Sequence, residues 1–383
     1  MRSLRWTWLL PVLFLAGCEP FDPWFEFPVN EKDPRFQFIG RMDHSNADGP
    51  TSAFPGTTVR FRCDCTGVDV ALADLAEGGE SHTNYVNVIV DGVTEAKVEL
   101  TKEARILRGA RNLKKGEHII DIVKRTEAYA GSMRFIGVSI QGTLLDPPPR
   151  PTLRMEFIGD SISCGYGNEV RIYAPTNTEP NTGYFSKNQD ISQAYGAILA
   201  RKVNAEAFQS CVSGQGIYRN IDGKIGEGFP TLYDRVYPNK GWPLWDFKLF
   251  TPDIIVINLG NNDFNVLDET KLPTAPPPEP FKAAYADFVR RLSDLYPDAK
   301  IICSIGPMMN DNFPTGREHW TKMQEYVSSM VKAVRAEGLT NVYYFAYTPV
   351  SSDPYGDDWH PTIEVHQQMA KELEAYLRKI GAL

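Results

Sequence analysis

Four short polar segments of the sequence contain the residue types that acyl transfer needs. They lie at residues 159–163, 213–216, 260–263 and 357–361. A serine hydroxyl is a weak nucleophile and needs a base within hydrogen-bond reach. Ser161 in the first segment supplies the hydroxyl, and His360 in the last can take its proton and return it to a leaving alcohol. We therefore expect Ser161 to be the nucleophile and His360 the general base.

The remaining parts of the expected site orient the base and stabilise the intermediate. Asp357 lies three residues before His360, close enough to accept a hydrogen bond from the other ring nitrogen and fix the tautomer. The tetrahedral intermediate carries a negative oxygen that requires well-aimed donors. We expect these oxyanion-hole donors to be the backbone N–H groups of Ser161 and Gly214 and the side-chain amide of Asn262.

Each segment alone also has an ordinary structural explanation. A Gly-Asp-Ser sequence after a strand can simply cap a helix, and Asn and Gly are common turn residues. The four segments together are more specific for an acyl-transfer site, because all four occur in order and the first three follow three successive predicted strands. The Gly-x-Ser-x-Gly nucleophile elbow of α/β-hydrolases is absent, since Ser163 occupies its last position.

Alternating strands and helices must position these segments. Residues 152–383 predict a three-layer α/β/α domain with a parallel five-stranded sheet, because buried-type strands alternate with helical patterns. The strands are predicted at 153–158, 207–211, 254–259, 300–305 and 342–346, and the helices at 193–203, 281–295, 319–337 and 363–379. Ligands of such sheets bind at the carboxyl ends of the strands.

Residues 35–146 have a different pattern, with short alternating runs separated by turn signals and no helical period. This pattern predicts an antiparallel β-sandwich. A proline-rich stretch at 147–151 marks the boundary with the second domain.

The N-terminus resembles a bacterial lipoprotein signal. Two arginines precede a short apolar run that ends in the Leu-Ala-Gly-Cys of residues 15–18. We expect residues 1–18 to be the signal peptide with its lipobox, Cys18 to be lipidated, and residues 19–34 to be a tether. The product is then an exported lipoprotein, anchored to a membrane on the periplasmic side or at the cell surface and otherwise soluble.

Charge and cysteine content limit the ligands and partners that the protein is expected to bind. The 383 residues carry a formal charge of −8 without a basic block, which argues against nucleic-acid binding. Cys63 and Cys65 lack the further ligands of a zinc site, so no metal is expected. For Cys164 and Cys211, a disulfide and two free buried thiols both fit the sequence. We expect a monomer.

The Gly-Asp-Ser of residues 159–161, with Gly214, Asn262 and the Asp357/His360 pair, resembles the SGNH (GDSL) hydrolases. Three further stretches are similar to carbohydrate esterase family 2, at 157–168, 213–220 and 257–263, as are residues 124–127. The resemblance implies a jelly-roll domain before an SGNH domain, removal of O-acetyl groups from xylan or glucomannan, and no metal or organic cofactor. It leaves open whether the carboxylate of Asp357 or a main-chain carbonyl orients His360.

Two tryptophans are candidates for stacking on a sugar. Trp359 lies between the expected catalytic residues, and Trp245 lies near a site loop, although core packing is the alternative for Trp245.

Two other functions compete with polysaccharide deacetylation. One is hydrolysis of another acyl ester, such as a lysophospholipid or thioester. The other is carbohydrate binding by a lipoprotein without catalysis. If the chain is an esterase, activity should fall as His360 protonates, near its ordinary pKa of about 6.5.

Overall fold

The computed structural model describes residues 23–103, 105–173, 182–267, 272–350 and 352–383. The predicted signal peptide, including Cys18, lies outside these described residues. Among the helices within them, none is both long enough and apolar enough to cross a membrane.

Antiparallel strands form the first domain. In the described residues these are β1 (Trp24–Pro28), β2 (Gln37–Ile39), β3 (Thr51–Ser52), β4 (Thr58–Asp74), β5 (Tyr85–Val90), β6 (Val93–Glu99), β7 (Arg105–Arg111), β8 (Glu117–Lys124) and β9 (Met133–Leu145). The main strand order is β1-β9-β4-β8-β5-β6, while β2 and β7 also pair with β4, and β3 pairs with β9. Their inner faces enclose one core, from Phe61 and Val88 to Ile140.

The long strand β4 organises this domain. Its first half pairs with β8 and its second half with β7, while β9 runs along most of its length. Its register with β9 shifts between Cys65 and Gly67, and the buried positions change from odd to even numbers there, as Cys63 and Val68 illustrate. Such a bulge inserts one residue and reverses which side chains face the core. The sequence pattern therefore predicts two short runs where the structure has one bent strand.

The first strand lies inside the stretch expected to be a tether. Residues Trp24–Pro28 pair with β9, and the Arg111 guanidinium lies 4.7 Å from the centre of the Trp24 ring. Phe27 packs against the domain core, and Val29 beyond the strand is buried. The tether prediction is therefore wrong for these residues. Their alternating aromatic side chains outweigh the flanking prolines and acids that suggested a linker.

The second domain has the predicted three-layer α/β/α arrangement with a parallel five-stranded sheet, which confirms its fold class. Its strands are β10 (Leu153–Gly159), β11 (Ala205–Cys211), β12 (Ile254–Asn258), β13 (Lys300–Ile305) and β14 (Val342–Ala346). They are parallel, in the order β11-β10-β12-β13-β14. The α-helices in the described residues are α1 (Ser161–Cys164), α2 (Tyr195–Lys202), α3 (Asn261–Phe264), α4 (Pro278–Leu295), α5 (His319–Ala336) and α6 (Ile363–Lys379).

Helices cover both faces of this sheet. On one face, Ile257 of β12 belongs to a core that contains side chains of α4 and α5. On the other, Val256 belongs to a core that contains side chains of α2 and α6. Consecutive residues of one strand are buried against different layers, so the central strand β12 is apolar and buried from Ile254 to Ile257. The buried runs of β12 and β13 explain why the sequence located these two strands closely.

Buried contacts join the two domains. Arg41 after β2 donates to the carboxylate of Glu156 in β10 at 3.1 Å, and both side chains are almost fully buried. Trp245 lies in the same seam, with its ring 5.8 Å from the ring of Phe208 and 5.7 Å from the Arg41 guanidinium. Phe208 is in the middle of β11, away from the loops that follow the strands. The half-buried Trp245 ring therefore packs between the domains, as the core-packing alternative expects, and its contact with substrate stays a prediction.

Candidate active site

Ser161 begins the short helix α1 directly after β10, at the carboxyl edge of the sheet. The side chain of Asp160 caps this helix by accepting a hydrogen bond from the N–H of Ile162 at 3.0 Å. A Cβ at Gly159 would lie 2.0 Å from the Ser163 hydroxyl oxygen, so only glycine fits this strand-to-helix turn. The turn thereby fixes the expected nucleophile at a sheet edge where three other polar loops converge.

The structure brings the expected nucleophile and base together. Nε2 of His360 lies 2.7 Å from Oγ of Ser161, although the two residues are 199 positions apart in the sequence. Both are less than 10% exposed. This is hydrogen-bond contact between a hydroxyl and a neutral imidazole, the geometry that nucleophilic catalysis requires.

The carboxylate of Asp357 does not contact His360, so its predicted role as the orienting acid is wrong. Nδ1 of His360 instead donates to the backbone carbonyl oxygen of Asp357 at 2.9 Å. The Asp357 carboxylate accepts from the Thr182 hydroxyl at 2.9 Å and the Asn188 amide at 2.8 Å. A spacing of three residues allows either the carbonyl or the carboxylate to contact the ring, and the turn after Asp357 selects the carbonyl.

That turn has an uncommon backbone. Asp358 and Trp359 have φ angles of 48° and 61°, in the left-handed region that side chains rarely adopt. Asp358 is held there by hydrogen bonds from the Tyr166 hydroxyl at 2.6 Å and the Gly183 N–H at 2.9 Å. Backbone strain of this kind persists only where the surroundings fix it, and it is concentrated at functional sites.

Burial lowers the pKa of His360 to about 4, although the Asp357 carbonyl opposes the shift by favouring the protonated ring. A carbonyl carries no full charge and compensates less than a carboxylate would. The imidazole is therefore neutral, and able to act as a base, well below neutral pH. We therefore expect the acid limit of activity to lie below the one expected from the ordinary histidine pKa.

The expected oxyanion-hole residues come from adjoining loops. Gly214 follows β11 with a left-handed φ of 77°, and Asn262 is the second residue of α3. The Asn262 amide donates to the carbonyl of Gln215 at 2.8 Å and lies 3.3 Å from the Asp160 carboxylate. These contacts join the loops that carry Ser161, Gly214 and Asn262. The role of these donors in stabilising an oxyanion stays a prediction.

Asp263 fixes the loop after Gly214. Its carboxylate accepts from the backbone N–H groups of Ile217, Tyr218 and Arg219 at 2.8–2.9 Å. Burial nevertheless raises its pKa to about 6, and burial raises the pKa of Asp160 to about 7.

Three features of the site become visible only in the structure. The ring of Tyr166 stacks on the His360 ring, with 4.1 Å between centroids. Cys164 and Cys211 form a disulfide, which decides between the two possibilities that the sequence left open. Glu127 of the first domain contacts Ser213, the residue before Gly214. For the contact of Glu127, the sequence offered only the resemblance of residues 124–127 to the family, which assigned no role to them.

Trp359 is half-buried and directly precedes His360, and its contact with substrate stays a prediction.

Among the residues that the structure describes, no group of three or more His, Cys, Asp or Glu side chains could hold a metal ion.

Two family models match the chain. The model described as Carbohydrate esterase 2 N-terminal matches residues 38–149, and the model described as GDSL-like Lipase/Acylhydrolase matches residues 155–373. The second match spans more than half of the chain.

Curated relatives have related names. The chain is 33% identical to the cellulase/esterase CelE of Acetivibrio thermocellus over 357 residues, which are 92% of this chain and 40% of CelE. It therefore spans less than half the length of that relative. It is 27% identical over 386 residues to an acetylxylan esterase / glucomannan deacetylase of Cellvibrio japonicus, a match that covers 97% of this chain and 98% of the relative.

Solved structures are also similar. A family two carbohydrate esterase from Clostridium thermocellum in complex with cellohexaose has a TM-score of 0.79 and 32% identity, and the match covers 91% of this chain and 100% of that one. One from Cellvibrio japonicus has a TM-score of 0.77 over 94% of this chain and 98% of its own, and its 23% identity supports the fold alone. The resemblance found in the sequence is confirmed: the chain belongs to the GDSL-like lipases/acylhydrolases and, within them, to carbohydrate esterase family 2.

Proposed function

We propose that this carboxylic ester hydrolase removes O-acetyl groups from a polysaccharide of the xylan or glucomannan type. The observation that carries the proposal is the 2.7 Å contact between Oγ of Ser161 and Nε2 of His360. The names of the Cellvibrio japonicus relatives support the substrate class, and the cellohexaose bound to the Clostridium thermocellum structure supports a glycan-binding surface.

Acylation follows from the geometry of the dyad. Oγ of Ser161 attacks the acetyl carbonyl carbon while its proton moves to Nε2 of His360. The electron pair of the carbonyl double bond moves to oxygen, where the donors of Ser161, Gly214 and Asn262 would stabilise it. When this intermediate collapses, the bond to the sugar oxygen breaks. That oxygen takes the proton from His360 and leaves as a free hydroxyl.

Deacylation uses the same groups in reverse order. A water molecule gives its proton to Nε2 of His360 and attacks the carbonyl carbon of the acetyl group on Ser161. The second intermediate breaks its bond to Oγ, which recovers the proton, and acetate leaves. The base needs only a fixed tautomer with Nε2 free of a proton, which the bond from Nδ1 to the Asp357 carbonyl provides.

The test measures acetate release from acetylated xylan and acetylated glucomannan by a soluble form, residues 19–383, and by its Ser161→Ala variant. Ser163→Ala is the matched control, because that hydroxyl lies in the same short helix and contacts Tyr195 at 3.0 Å. We expect release that Ser161→Ala abolishes and Ser163→Ala largely retains. Full activity of Ser161→Ala would overturn the mechanism.

Two other results would replace the proposed substrate. Hydrolysis of 4-nitrophenyl acetate without release from either glycan would favour another acyl ester, which a series of acyl chain lengths would identify. Binding to either glycan with no ester hydrolysis would favour a non-catalytic carbohydrate-binding protein.

We also propose that the protein is exported, anchored through lipid on Cys18, and monomeric. The Leu-Ala-Gly-Cys at the end of an apolar run supports the anchor. In a bacterial host, the protein should fractionate with membranes and Cys18→Ser should lose the lipid. A mass in solution slightly below the 43.0 kDa of the full chain would support a monomer for the soluble form, and twice that mass would contradict it.

A further inference from the structure

The turn that ends β8 buries three charged side chains at the domain boundary. Lys124, Arg125 and Glu127 are each at most 1% exposed. Removing charges from water costs several kcal/mol unless close partners compensate. The partners of these side chains therefore show what the turn holds in place.

Glu127 reaches across the boundary to the loop that follows β11. One carboxylate oxygen accepts from the backbone N–H of Ser213 at 2.8 Å, and the other accepts from the Ser213 hydroxyl at 2.5 Å. The two bonds fix both the main chain and the side chain of Ser213. A carboxylate is suited to this task, since it offers two acceptor oxygens and no donor.

The next residue is Gly214, whose N–H is an expected oxyanion donor. The direction of that N–H is set by the peptide plane that joins Ser213 to Gly214. Glycine has the widest backbone freedom, and the φ of 77° at Gly214 is one of several conformations open to it. The contact with Glu127 restrains this peptide from its N-terminal side.

The turn itself is rigidly attached. The Lys124 ammonium donates to the carbonyl oxygens of Thr126 and Glu127 at 2.5 and 3.2 Å. Gln189 of the second domain accepts from the Glu127 N–H at 3.2 Å and donates to the carbonyl of Cys164 in α1 at 2.9 Å. The turn therefore contacts the Gly214 loop directly, and it contacts the Ser161 helix through Gln189.

We propose that Glu127 is a positioning residue for ester hydrolysis, by which the first domain holds the Ser213–Gly214 peptide in the orientation that stabilises the oxyanion. The inference rests on the proposed serine esterase activity. Its alternative is that Glu127 only fastens the two domains together, as Arg41 and Glu156 do elsewhere in the boundary.

The experiment compares Glu127→Gln with Glu156→Gln in the full chain. Both changes keep side-chain volume and remove a buried charge at the domain boundary. Glu156 is the control because its carboxylate accepts from Arg41, Ser210 and Tyr233, none of which belongs to the Gly214 loop. The readouts are kcat and KM for 4-nitrophenyl acetate, inhibition by a boronic acid that forms a tetrahedral adduct with Ser161, and the unfolding midpoint.

For Glu127→Gln we expect kcat to fall about 10- to 100-fold with KM little changed, somewhat less than complete loss of an oxyanion donor. Boronic acid affinity should fall with it. Glu156→Gln should lower the unfolding midpoint while kcat per folded molecule stays within about 3-fold of the original, because it removes only a structural contact. Equal kcat and boronic acid affinity for Glu127→Gln and the unchanged chain would overturn the inference. So would equal losses in both variants.

Ser213→Ala decides the question if Glu127→Gln does not fold. It removes the hydroxyl contact and keeps the backbone contact, so we expect a smaller loss in kcat, about 3- to 10-fold, at unchanged KM. An unchanged kcat would contradict the proposal. If the unchanged chain hydrolyses no ester, the proposed function fails, and that result is distinct from activity that survives the loss of Glu127.

Discussion

At the scale of single residues, the proposed general base His360 predicts how activity depends on pH. A general base must be neutral, and burial lowers the pKa of this imidazole to about 4. Activity should therefore persist as pH falls from 7 to about 5 and decline as the ring protonates near pH 4. Measurement of kcat/KM by acetate release between pH 3.5 and 8 tests this, with the folded fraction followed by circular dichroism. Half-loss near pH 6.5 in still-folded protein would contradict it.

The orienting role of the Asp357 carbonyl gives a second prediction. Asp357→Asn leaves that carbonyl in place and alters only the contacts with Thr182 and Asn188. We expect kcat/KM to fall less than about 10-fold, whereas loss of a true triad carboxylate costs about 10⁴-fold. His360→Ala, which removes the base itself, is the reference for full loss. A decrease of 10³-fold or more in Asp357→Asn would show that the carboxylate takes part.

Residue types identified Ser161 and His360 because few side chains perform nucleophilic and base chemistry. The sequence could not predict the orientation of the Asp357 side chain, since a three-residue spacing suits a carbonyl as well as a carboxylate. It could not predict the contact of Glu127 for another reason. It lies 86 residues before Ser213, in a different domain, and nothing local to either residue indicates the contact.

At the scale of elements, the disulfide between Cys164 and Cys211 joins helix α1 to the end of β11. It closes a loop of 47 residues in the unfolded chain, which the chain-entropy model values at about 4 kcal/mol. Replacing both cysteines by alanine should lower the free energy of unfolding by about 2–4 kcal/mol, measured by urea denaturation. Cys303→Ala is the control, because Cys303 is a buried thiol outside any disulfide. Equal losses in both variants would show that cavity formation alone explains the effect.

The sequence predicted the positions of helices and strands in the second domain more accurately than those of strands in the first. Helix α6 begins and ends at the expected residues, because its apolar positions keep one period throughout. Strands β6 and β7 were not expected. Most of their side chains are exposed, and β7 carries three arginines, so neither shows the alternation of a half-buried strand.

At the scale of the whole molecule, residues around the candidate site come from both domains. Glu127 and Gln189 contact each other across the boundary, while Arg41 and Glu156 pair in another part of it. The sequence identified the two domains as separate patterns and gave no measure of how they fit together. Contacts between distant segments decide that fit, and such contacts leave no periodic signal in either segment.

Strand β1 is the first element of the described residues, and its position limits the reach of any lipid anchor at Cys18. Five residues separate Cys18 from Trp24, so this connection spans at most about 20 Å. A chain that starts at residue 35 lacks β1 and Val29, whose burial alone is worth about 1.5–3 kcal/mol, and it exposes the edge of β9. We expect it to unfold at lower urea concentration and to aggregate more than a chain that starts at residue 23. Equal unfolding midpoints would show that β1 adds no stability and that residues 19–34 act as the flexible tether first expected.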